Sequence, residues 1–385
     1  MARTPIGSFQ GELSGLTAPE LGSAAIAAAL NRSGVSAGDV DEVMMGCVLP
    51  AGLGQAPARQ VALKAGLPLP VACTTVNKVC GSGMKAAMLG HDAIRAGSAN
   101  IVVAGGMESM SNAPYLLDKA RGGYRLGHGA VKDHMFLDGL EDAYEPGRLM
   151  GTYAEDTAEA YQFTRQAQDE FALASIDRAQ KALEDGSFAA ESVAIEAPAG
   201  RKGTIQVDKD ELPRQARPEK IPTLKPAFRP DGTVTAANSS GISDGAAAMI
   251  LMGEQEAERR GLTPLARILG HASHAREPSK FTTAPIGAID ALFDQLGWSA
   301  AEVDLFEINE AFAVVTMAVM QELDLPHDKV NIHGGACALG HPIGASGARI
   351  IATLIGALQK RGLKRGVASL CIGGGEATAI GIERL

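Results

Sequence analysis

The sequence is poor in aromatic residues and carries no surplus of positive charge. Phe, Trp and Tyr make up 4% of its 385 residues, so few rings are present on which ligands could stack. The formal net charge of −9 at pH 7 argues against a general nucleic-acid binder. Hydrophobic residues nevertheless make up 46%, enough for a large core, and 46 glycines favour close packing and sites lined by backbone.

Long apolar runs and paired cysteines are missing as well. No apolar run approaches ~18 residues, and Met1 to Phe9 contain no apolar signal region, so we expect neither a membrane span nor a secretory leader. The five cysteines are an odd number for a disulfide framework, and no Cys pair or Cys/His cluster has zinc-ligand spacing. We therefore predict reduced thiols, a cytoplasmic location and no metal.

Two parts of the chain repeat each other. Gly34–Asp41 aligns without gaps on Gly297–Asp304. Each copy follows an Ala-rich helical stretch and runs into an apolar strand, after which a second helix, a third helix and another strand complete the unit. The aligned helix starts are Ala18-Pro19 with Ala284-Pro285 and Ser82-Gly83 with Ser346-Gly347. The aligned strands are Glu42–Val48 with Leu305–Ile308 and Ile101–Ala104 with Val367–Cys371.

Strands that alternate with helices predict layered α/β units, so the fold class is α/β with a duplicated domain. An insertion without a counterpart separates the copies and contains one predicted helix, Gly151 to Asp185. We expect one domain from residues 1–110 and 243–264, a loop domain from 111–242, and a second copy from 265–385.

The insertion also contains a local reversal of charge. Between Arg201 and Arg229 the chain has eight basic residues against four acidic ones. Such a stretch is either a solvated loop face or a surface for a phosphorylated ligand, and both interpretations stay open at this point.

Cys80 is the first candidate nucleophile. It stands in Asn77-Lys-Val-Cys-Gly-Ser-Gly-Met84, between a strand-like run and a helix. A helix N-terminus favours a thiolate, and the neighbouring glycines let a substrate approach. The alternative is a buried structural cysteine, the commoner fate of a free thiol.

His341 is its candidate partner. The segment Gly340-His-Pro-Ile-Gly-Ala-Ser-Gly347 comes just before the helix that the repeat aligns with the one after Cys80. In a pseudo-twofold arrangement the two helix starts meet, so a histidine there could take the thiol proton and remain as imidazolium beside a thiolate.

Two further polar positions follow predicted strands. Cys371 ends the last predicted strand, and the glycines that follow it, Gly373 among them, offer backbone N–H donors for an oxyanion. Asn309, in Asn309-Glu-Ala-Phe-Ala313, could hold a water or a carbonyl oxygen, although such an Asn is more often a helix N-cap.

Together these four motifs resemble the signature elements of the thiolase family, in order and over essentially the whole chain. The resemblance implies duplicated βαβαβ domains in a layered α/β/α/β/α core. It also implies that Cys80, activated by His341, takes an acyl group from an acyl-CoA as a thioester. Cys371 then acts as base on acetyl-CoA. One oxyanion hole is His341 with a water on Asn309, and the other is the N–H groups of Cys80 and Gly373.

In the same family the insertion binds coenzyme A, so CoA thioesters are expected as substrates and no cofactor is expected. The resemblance implies that Lys220 approaches phosphate and Phe281 the acyl group. The other implied substrate-contacting positions are Met150, Arg214, Leu224, Ala227, Phe228, Ser240, Ile242, Ala311 and Phe312. The segment Lys132 to Gly139 resembles a tetramerisation loop of short-chain acetyl-CoA acetyltransferases, which predicts a homotetramer, a dimer of dimers.

Three features depart from the family pattern. The chain begins where a first strand usually precedes Ala2-Arg3-Thr4-Pro5, so that position in the sheet is expected to be empty. Leu149 stands where many short-chain biosynthetic members have His. Phe281 stands where bacterial biosynthetic members have Met, which adds bulk near the acyl pocket.

We therefore expect an acetyl-CoA C-acetyltransferase. The alternatives are a 3-ketoacyl-CoA thiolase of β-oxidation with broader chain length and, more remotely, a non-catalytic thiolase-like lipid carrier. A ketoacyl synthase would use two histidines with its cysteine, whereas Cys371 stands at the position of the second base.

Overall fold

The computed structural model describes residues 1–385, except for the side chain of Lys202. The strands are β1 Ala2–Arg3, β2 Gly7–Ser8, β3 Glu42–Gly46, β4 Ala72–Val76, β5 Ile101–Ser109, β6 Tyr115–Leu116, β7 Lys132–Asp133, β8 Ile195–Pro198, β9 Thr204–Val207, β10 Ser243–Met252, β11 Ala266–Ala275, β12 Leu305–Ile308, β13 Arg365–Ile372 and β14 Glu376–Arg384. The helices are α1 Ala18–Ser33, α2 Pro57–Lys64, α3 Ser82–Ala96, α4 Met150–Ala160, α5 Arg165–Glu184, α6 Glu211–Gln215, α7 Glu254–Arg259, α8 Ala284–Leu296, α9 Ala313–Glu322, α10 Ala336–Leu339 and α11 Ile343–Arg361.

Two mixed sheets form the framework. The first has the order β1-β10-β5-β3-β4, with β2 also paired to β10, and the second has the order β11-β14-β13-β12. Within each sheet the strands of the repeated unit run parallel, β3 with β4 and β5 and β12 with β13. The long strands β10 and β14 add to them antiparallel. Short apolar strands that alternate with helices thus form the layered units expected from the sequence.

Helices α3 and α11 lie between the two sheets, while α1 and α2 cover the outer face of the first sheet and α8 that of the second. Every residue of α11 from Ile343 to Leu358 is buried, because protein surrounds the helix on all sides. The predicted α/β/α/β/α layering is therefore confirmed. Among the residues that the structure describes, no helix is long and apolar enough to cross a membrane.

The two central helices touch through glycines at repeat-equivalent positions. A Cβ on Gly83 of α3 would lie 2.9 Å from the backbone N of Ala348, and one on Gly347 of α11 would lie 2.3 Å from the backbone N of Met84. Both positions require glycine, since the obstacle is backbone that cannot rotate away. This contact draws the N-termini of both helices together.

Three expectations about the strands and helices are corrected. The first position in the sheet is filled in part, because Ala2 and Arg3 pair with Ala248 and Ala247 of β10, although this pairing does not extend to Met249–Met252. The strand that contains Cys371 is not the last, because β14 follows it in a hairpin.

The helix predicted from Gly151 to Asp185 is two helices. The chain turns at Gln162, where φ is 56°, and α5 restarts with Thr164 as N-cap, whose side chain accepts a hydrogen bond from the backbone N–H of Ala167. Thr164 is a residue type favoured as N-cap and stands before a polar helical run, so the sequence could have indicated this break.

The insertion contains small elements around these two helices. The ribbons β6–β7 and β8–β9 and the short helix α6 belong to it, after which β10 returns to the first sheet beside β5. The division into three domains stays a prediction.

The glycine contact between the central helices yields a stability test. We expect Gly347→Ala to lower the free energy of unfolding by about 1–3 kcal/mol, because its Cβ would collide with the backbone of α3. Gly38→Ala is the matched control, since a Cβ there meets nothing within 4 Å. Chemical denaturation of both variants measures the difference. If Gly347→Ala and wild type were equally stable, α3 and α11 could move apart without loss of stability, and the contact would not require glycine.

Candidate active site

Cys80 lies on a tight turn between β4 and α3. Val79 before it has φ of 44°, a left-handed conformation that a β-branched residue rarely adopts. The Ser82 hydroxyl fixes the turn, since it accepts a hydrogen bond from Lys78 N at 2.8 Å and donates one to Val79 O at 2.6 Å. Strain of this kind at a non-glycine residue is typical of functional sites. Cys80 directly precedes Gly81, the N-cap of α3, as the sequence predicts.

Two backbone donors lie near the Cys80 sulfur. The N–H groups of Gly373 and of Cys80 itself both lower the pKa of its thiol, against the larger effect of burial. These are the two groups that the family resemblance assigns to one oxyanion hole. An oxygen bonded to the carbon that Cys80 attacks would therefore form next to both donors.

Histidine 341 is held in one tautomer by Ser346. The Ser346 hydroxyl donates to Pro342 O at 3.0 Å, so it accepts from the His341 Nδ1–H at 2.5 Å. The proton on Nδ1 leaves Nε2 with a free lone pair. Nε2 lies 3.5 Å from Asn309 Nδ2. The imidazole is thus oriented so that its basic nitrogen faces the site.

The ionisation of this pair differs from the sequence-based expectation. Burial raises the pKa of the Cys80 thiol to about 11. Burial, with a smaller contribution from the charge of Arg349, lowers the pKa of His341 to about 3. Both groups are therefore neutral at pH 7 in the free protein, not a thiolate beside an imidazolium. The helix N-terminus does not compensate for the loss of water around the two side chains.

Cys371 is buried at the end of β13. Burial, followed by the nearby Cys80, raises the pKa of its thiol. After it the chain turns through Gly374 and Gly375, both with φ of 91°, a conformation that favours glycine. A Cβ on Gly375 would lie 2.3 Å from the carbonyl oxygen of Arg276, so this turn is locked against the loop after β11.

Asn309 is not a helix N-cap. Helix α9 begins at Ala313 with Phe312 as its N-cap, so the commoner role for such an Asn does not apply. The Asn309 backbone N–H bonds Ser369 O at 3.0 Å, which places the residue beside β13. Within the described part of the chain its buried Oδ1 has no hydrogen-bond partner. A buried amide oxygen without a partner is suited to hold a water.

Two glutamates at equivalent positions of the repeats, in Gly105-Gly-Met-Glu108 and Gly373-Gly-Gly-Glu376, support these loops. Glu108 is buried and accepts hydrogen bonds from the N–H groups of Val48, Leu49 and Gly344, which links the turn after β3 to the start of α11. Burial raises the pKa of Glu108 to about 7. The carboxylate thereby joins backbone from both halves of the repeat.

Its repeat equivalent, Glu376, forms an ion pair with Lys78. Lys78 stands two residues before Cys80, and Glu376 follows the glycine turn after Cys371. The pair therefore joins the loops of the two cysteines. Glu108 and Glu376 stand at the same distance after the aligned glycines Gly105 and Gly373, and this equal spacing could have indicated both from the sequence.

Part of the predicted substrate-contacting set lies together beside Cys371. One apolar cluster contains Cys371 with Met150, Phe228, Phe281, Ala311 and Phe312. Ser240 adjoins it through the hydrogen bond from its N–H to Ala311 O at 3.0 Å. Ile242 packs in a neighbouring cluster with Cys80. These side chains line the surroundings of both cysteines.

The remaining predicted positions lie elsewhere on the insertion. Arg214 on α6 is paired with Glu12 at 2.5 Å. Lys220 is exposed in the turn from Pro218 to Thr223, next to Leu224. Ala227 is exposed, and its N–H bonds Val234 O at 2.8 Å. Contact between these four residues and a substrate stays a prediction.

Comparison with known families follows the same division into two halves. Residues 1–255 match the N-terminal domain of thiolases and residues 262–384 match the C-terminal domain. The chain belongs to the thiolase family. The match covers both halves of the repeat and both cysteine loops.

Curated relatives of this thiolase cover its full length. An acetyl-CoA acetyltransferase of Pseudomonas aeruginosa is 49% identical over 383 residues, which are 99% of this chain and 97% of that protein. Acetyl-CoA acetyltransferase 2 of Arabidopsis thaliana is 51% identical over 387 residues, covering 100% of this chain and 96% of that protein.

Solved structures of thiolases superpose on the same fold. The Bacillus anthracis acetyl-CoA acetyltransferase has a TM-score of 0.96 at 44% identity, and the match covers 100% of this chain and 97% of that one. The Acat5 thiolase of Ascaris suum, solved in complex with coenzyme A, has a TM-score of 0.94 at 43% identity, and the match covers 100% of this chain and 98% of that one.

The neutral cysteine–histidine pair yields a pH test. With the pKa of the Cys80 thiol raised to about 11, the thiolate fraction grows about tenfold per pH unit through the neutral range. We expect the alkylation rate of Cys80 by iodoacetamide to rise without a plateau from pH 7 to pH 10. Peptide mass spectrometry distinguishes Cys80 from the partly exposed Cys73. A plateau below pH 8 would contradict the neutral pair and indicate a stable thiolate–imidazolium pair.

Proposed function

We propose that this thiolase is an acetyl-CoA C-acetyltransferase, which condenses two acetyl-CoA molecules reversibly to acetoacetyl-CoA and CoA. The observation that carries the proposal is the arrangement around the Cys80 sulfur. Two backbone N–H groups lie near it and favour its thiolate, and Cys371 lies near enough that a thiolate on Cys80 raises the pKa of its thiol. The names of the full-length relatives support the acetyl substrate.

In the first half-reaction Cys80 becomes acetylated. His341 Nε2, held free of a proton by the Ser346 hydrogen bond to Nδ1, removes the thiol proton as the sulfur attacks the thioester carbon. The tetrahedral intermediate expels the CoA thiolate, which takes a proton from the nearby Cys371 thiol. The acetyl-enzyme then holds His341 protonated on Nε2 and Cys371 as thiolate, and both are neutral again at the end of the cycle, which suits a site whose burial disfavours ions.

In the second half-reaction Cys371, as thiolate, removes an α-proton from the second acetyl-CoA. The resulting enolate oxygen is stabilised by the Nε2–H of His341 and by a water on Asn309 Oδ1. This oxygen is buried and has no hydrogen-bond partner within the described residues. The enolate carbon attacks the Cys80 thioester, and the new oxyanion accepts hydrogen bonds from the N–H groups of Cys80 and Gly373. Collapse releases acetoacetyl-CoA and the Cys80 thiolate, which takes the Nε2 proton back from His341, while Cys371 keeps the abstracted proton.

Coenzyme A is part of the substrate in this proposal, and no separate cofactor takes part. The apolar cluster beside Cys371 would receive the acyl and pantetheine groups. Lys220, exposed on the insertion, would approach a phosphate, and Arg214 would first have to leave Glu12. A reducing compartment such as the cytoplasm suits an enzyme whose five cysteines are all free thiols.

We propose a homotetramer as the assembly. The ribbon β6–β7 and its connection carry apolar side chains into solvent, with Leu126 98%, Tyr115 69% and Val131 61% exposed. Clustered apolar exposure of this kind marks an interaction surface, and the match of Lys132 to Gly139 to a tetramerisation loop indicates a second dimer as its partner. Sedimentation equilibrium of the full chain measures the number of subunits.

A 3-ketoacyl-CoA thiolase with longer substrates is the second candidate. The observation in its favour is Leu149, which stands half-buried as the N-cap of α4 where short-chain members have His. Against it, Phe281 is 3% exposed and packs edge-on against Tyr153, with ring centroids 6.2 Å apart, which fills space beside Cys371.

Substitution of the two cysteines separates the two half-reactions. We expect Cys80→Ala to abolish both directions, and wild-type protein exposed briefly to acetyl-CoA to carry the acetyl group on Cys80. Cys371→Ser should still acetylate Cys80 but lose condensation and α-proton exchange by about 10²-fold or more, because the second base is missing. Mass spectrometry and deuterium exchange into acetyl-CoA measure these steps. An acetyl group on another cysteine, or unchanged exchange in Cys371→Ser, would contradict the assignments.

Phe281 tests the chain-length preference. We expect cleavage of acetoacetyl-CoA with a higher kcat/KM than cleavage of 3-ketohexanoyl-CoA, because the longer substrate has two extra methylenes and each one against a filled pocket changes transition-state binding by ~1–3 kcal/mol. Phe281→Ala should narrow the difference in kcat/KM by opening the pocket. Equal or faster cleavage of the longer substrate by wild type would favour the β-oxidation role, and absence of CoA-dependent cleavage of any substrate would favour a lipid carrier.

A further inference from the structure

Three potential metal ligands from different halves of the chain meet away from the cysteines. His91 and Asp92 lie in the second half of α3, and His271 lies in β11. The His271 Nε2 is 2.9 Å from Asp92 Oδ1, and the His91 Nδ1 is 3.4 Å from the same oxygen. One ligand atom from each residue lies within 4.8 Å of the others. The spacing in the sequence gives no sign of this group.

Local backbone features aim these side chains at one another. The pairing of β11 with β14 shifts register between Ile268 and Gly270, immediately before His271. Such a bulge rotates the following side chain relative to a regular strand. On the helix side, a Cβ on Gly90 would lie 3.0 Å from Val102 Cγ1, so the segment that contains His91 is seated closely on the first sheet. The two histidine rings pack edge to face, with centroids 5.2 Å apart.

We propose that His91, Asp92 and His271 form a binding site for a divalent transition-metal ion, Zn²⁺ in the first place, that clamps α3 to β11. Two imidazoles and a carboxylate are ligands that Zn²⁺ favours, and a water completes a tetrahedral set. Bonds of about 2.0–2.1 Å in that geometry separate ligand atoms by about 3.4 Å. The 3.4 Å between His91 Nδ1 and Asp92 Oδ1 matches this value, and the 2.9 Å between His271 Nε2 and the same oxygen is shorter.

The surroundings also suit a metal ion. The side chains of both histidines are 16% exposed, whereas that of Asp92 is 52% exposed, so an ion can enter from the side of Asp92 and the carboxylate can rotate towards it. Arg95, one turn further along α3, is the nearby cation that opposes binding. The carboxylate offsets that charge within the site.

The clamp predicts a measurable link between metal and stability. An ion bound to both α3 and β11 in the folded state alone stabilises that state by mass action. We expect Zn²⁺ to raise the thermal unfolding midpoint of the full-length protein relative to the same protein in EDTA, and we expect His271→Gln to lose that rise. The glutamine amide can still bond Asp92, so only the imidazole ligand is removed. His128→Gln is the matched control, because His128 is exposed on the insertion and should leave the rise unchanged.

Equilibrium dialysis against Zn²⁺ gives the stoichiometry. Wild type and His128→Gln should bind one ion per chain more than His271→Gln, and any ions on cysteines cancel in the difference. His271→Cys supplies another zinc ligand at the same position and should restore the bound ion. The proposal is overturned if all variants bind the same amount of Zn²⁺. It is also overturned if His271→Cys fails to restore the ion while its unfolding midpoint in EDTA equals that of wild type.

Discussion

The contact of α3 with α11 between the two sheets is the constraint on which the rest of the structure depends. Gly83 and Gly347 let the helix backbones touch, and a side chain at either position would collide with the other helix. Because Cys80 precedes α3 and His341 precedes α11, the same contact sets how close the proposed nucleophile and its proposed base can come. The packing of α3 against α11 therefore also determines the geometry of the site at the N-termini of these helices.

The site is built from backbone and buried neutral groups rather than from fixed charges. The N–H groups of Gly373 and Cys80 lie near the Cys80 sulfur, and His341 is oriented by a serine instead of a carboxylate. Withdrawal from water opposes ionisation of both residues, so in the proposed mechanism the Cys80 thiolate forms only as a proton moves to Nε2. The charged residues that support the site, Glu376 with Lys78, connect the loops without taking part in the proton transfer.

Local sequence predicted the elements whose signals are themselves local. The strand Leu305–Ile308 has the predicted bounds, and α1 and α8 begin at the predicted Ala-Pro pairs. The sequence failed where a distant partner decides. Ala2 and Arg3 form a strand because β10 offers them an edge, and the inner strand β14 exists because β13 and β11 pair with it on both sides. The break at Gln162 was a missed capping signal instead, because Thr164 was visible before α5.

What the sequence alone determined is the duplicated α/β order, the identity of Cys80, Asn309, His341 and Cys371 as the chemically capable residues, and the family to which they belong. Residue type, glycine context and repeat spacing carry that information without coordinates. The tertiary structure decided the ionisation of Cys80 and His341, because burial comes from the whole fold and not from their neighbours in the chain. It also decided the meeting of His91 and Asp92 with His271, since only the packing of one half on the other brings residues so distant in sequence within bonding distance.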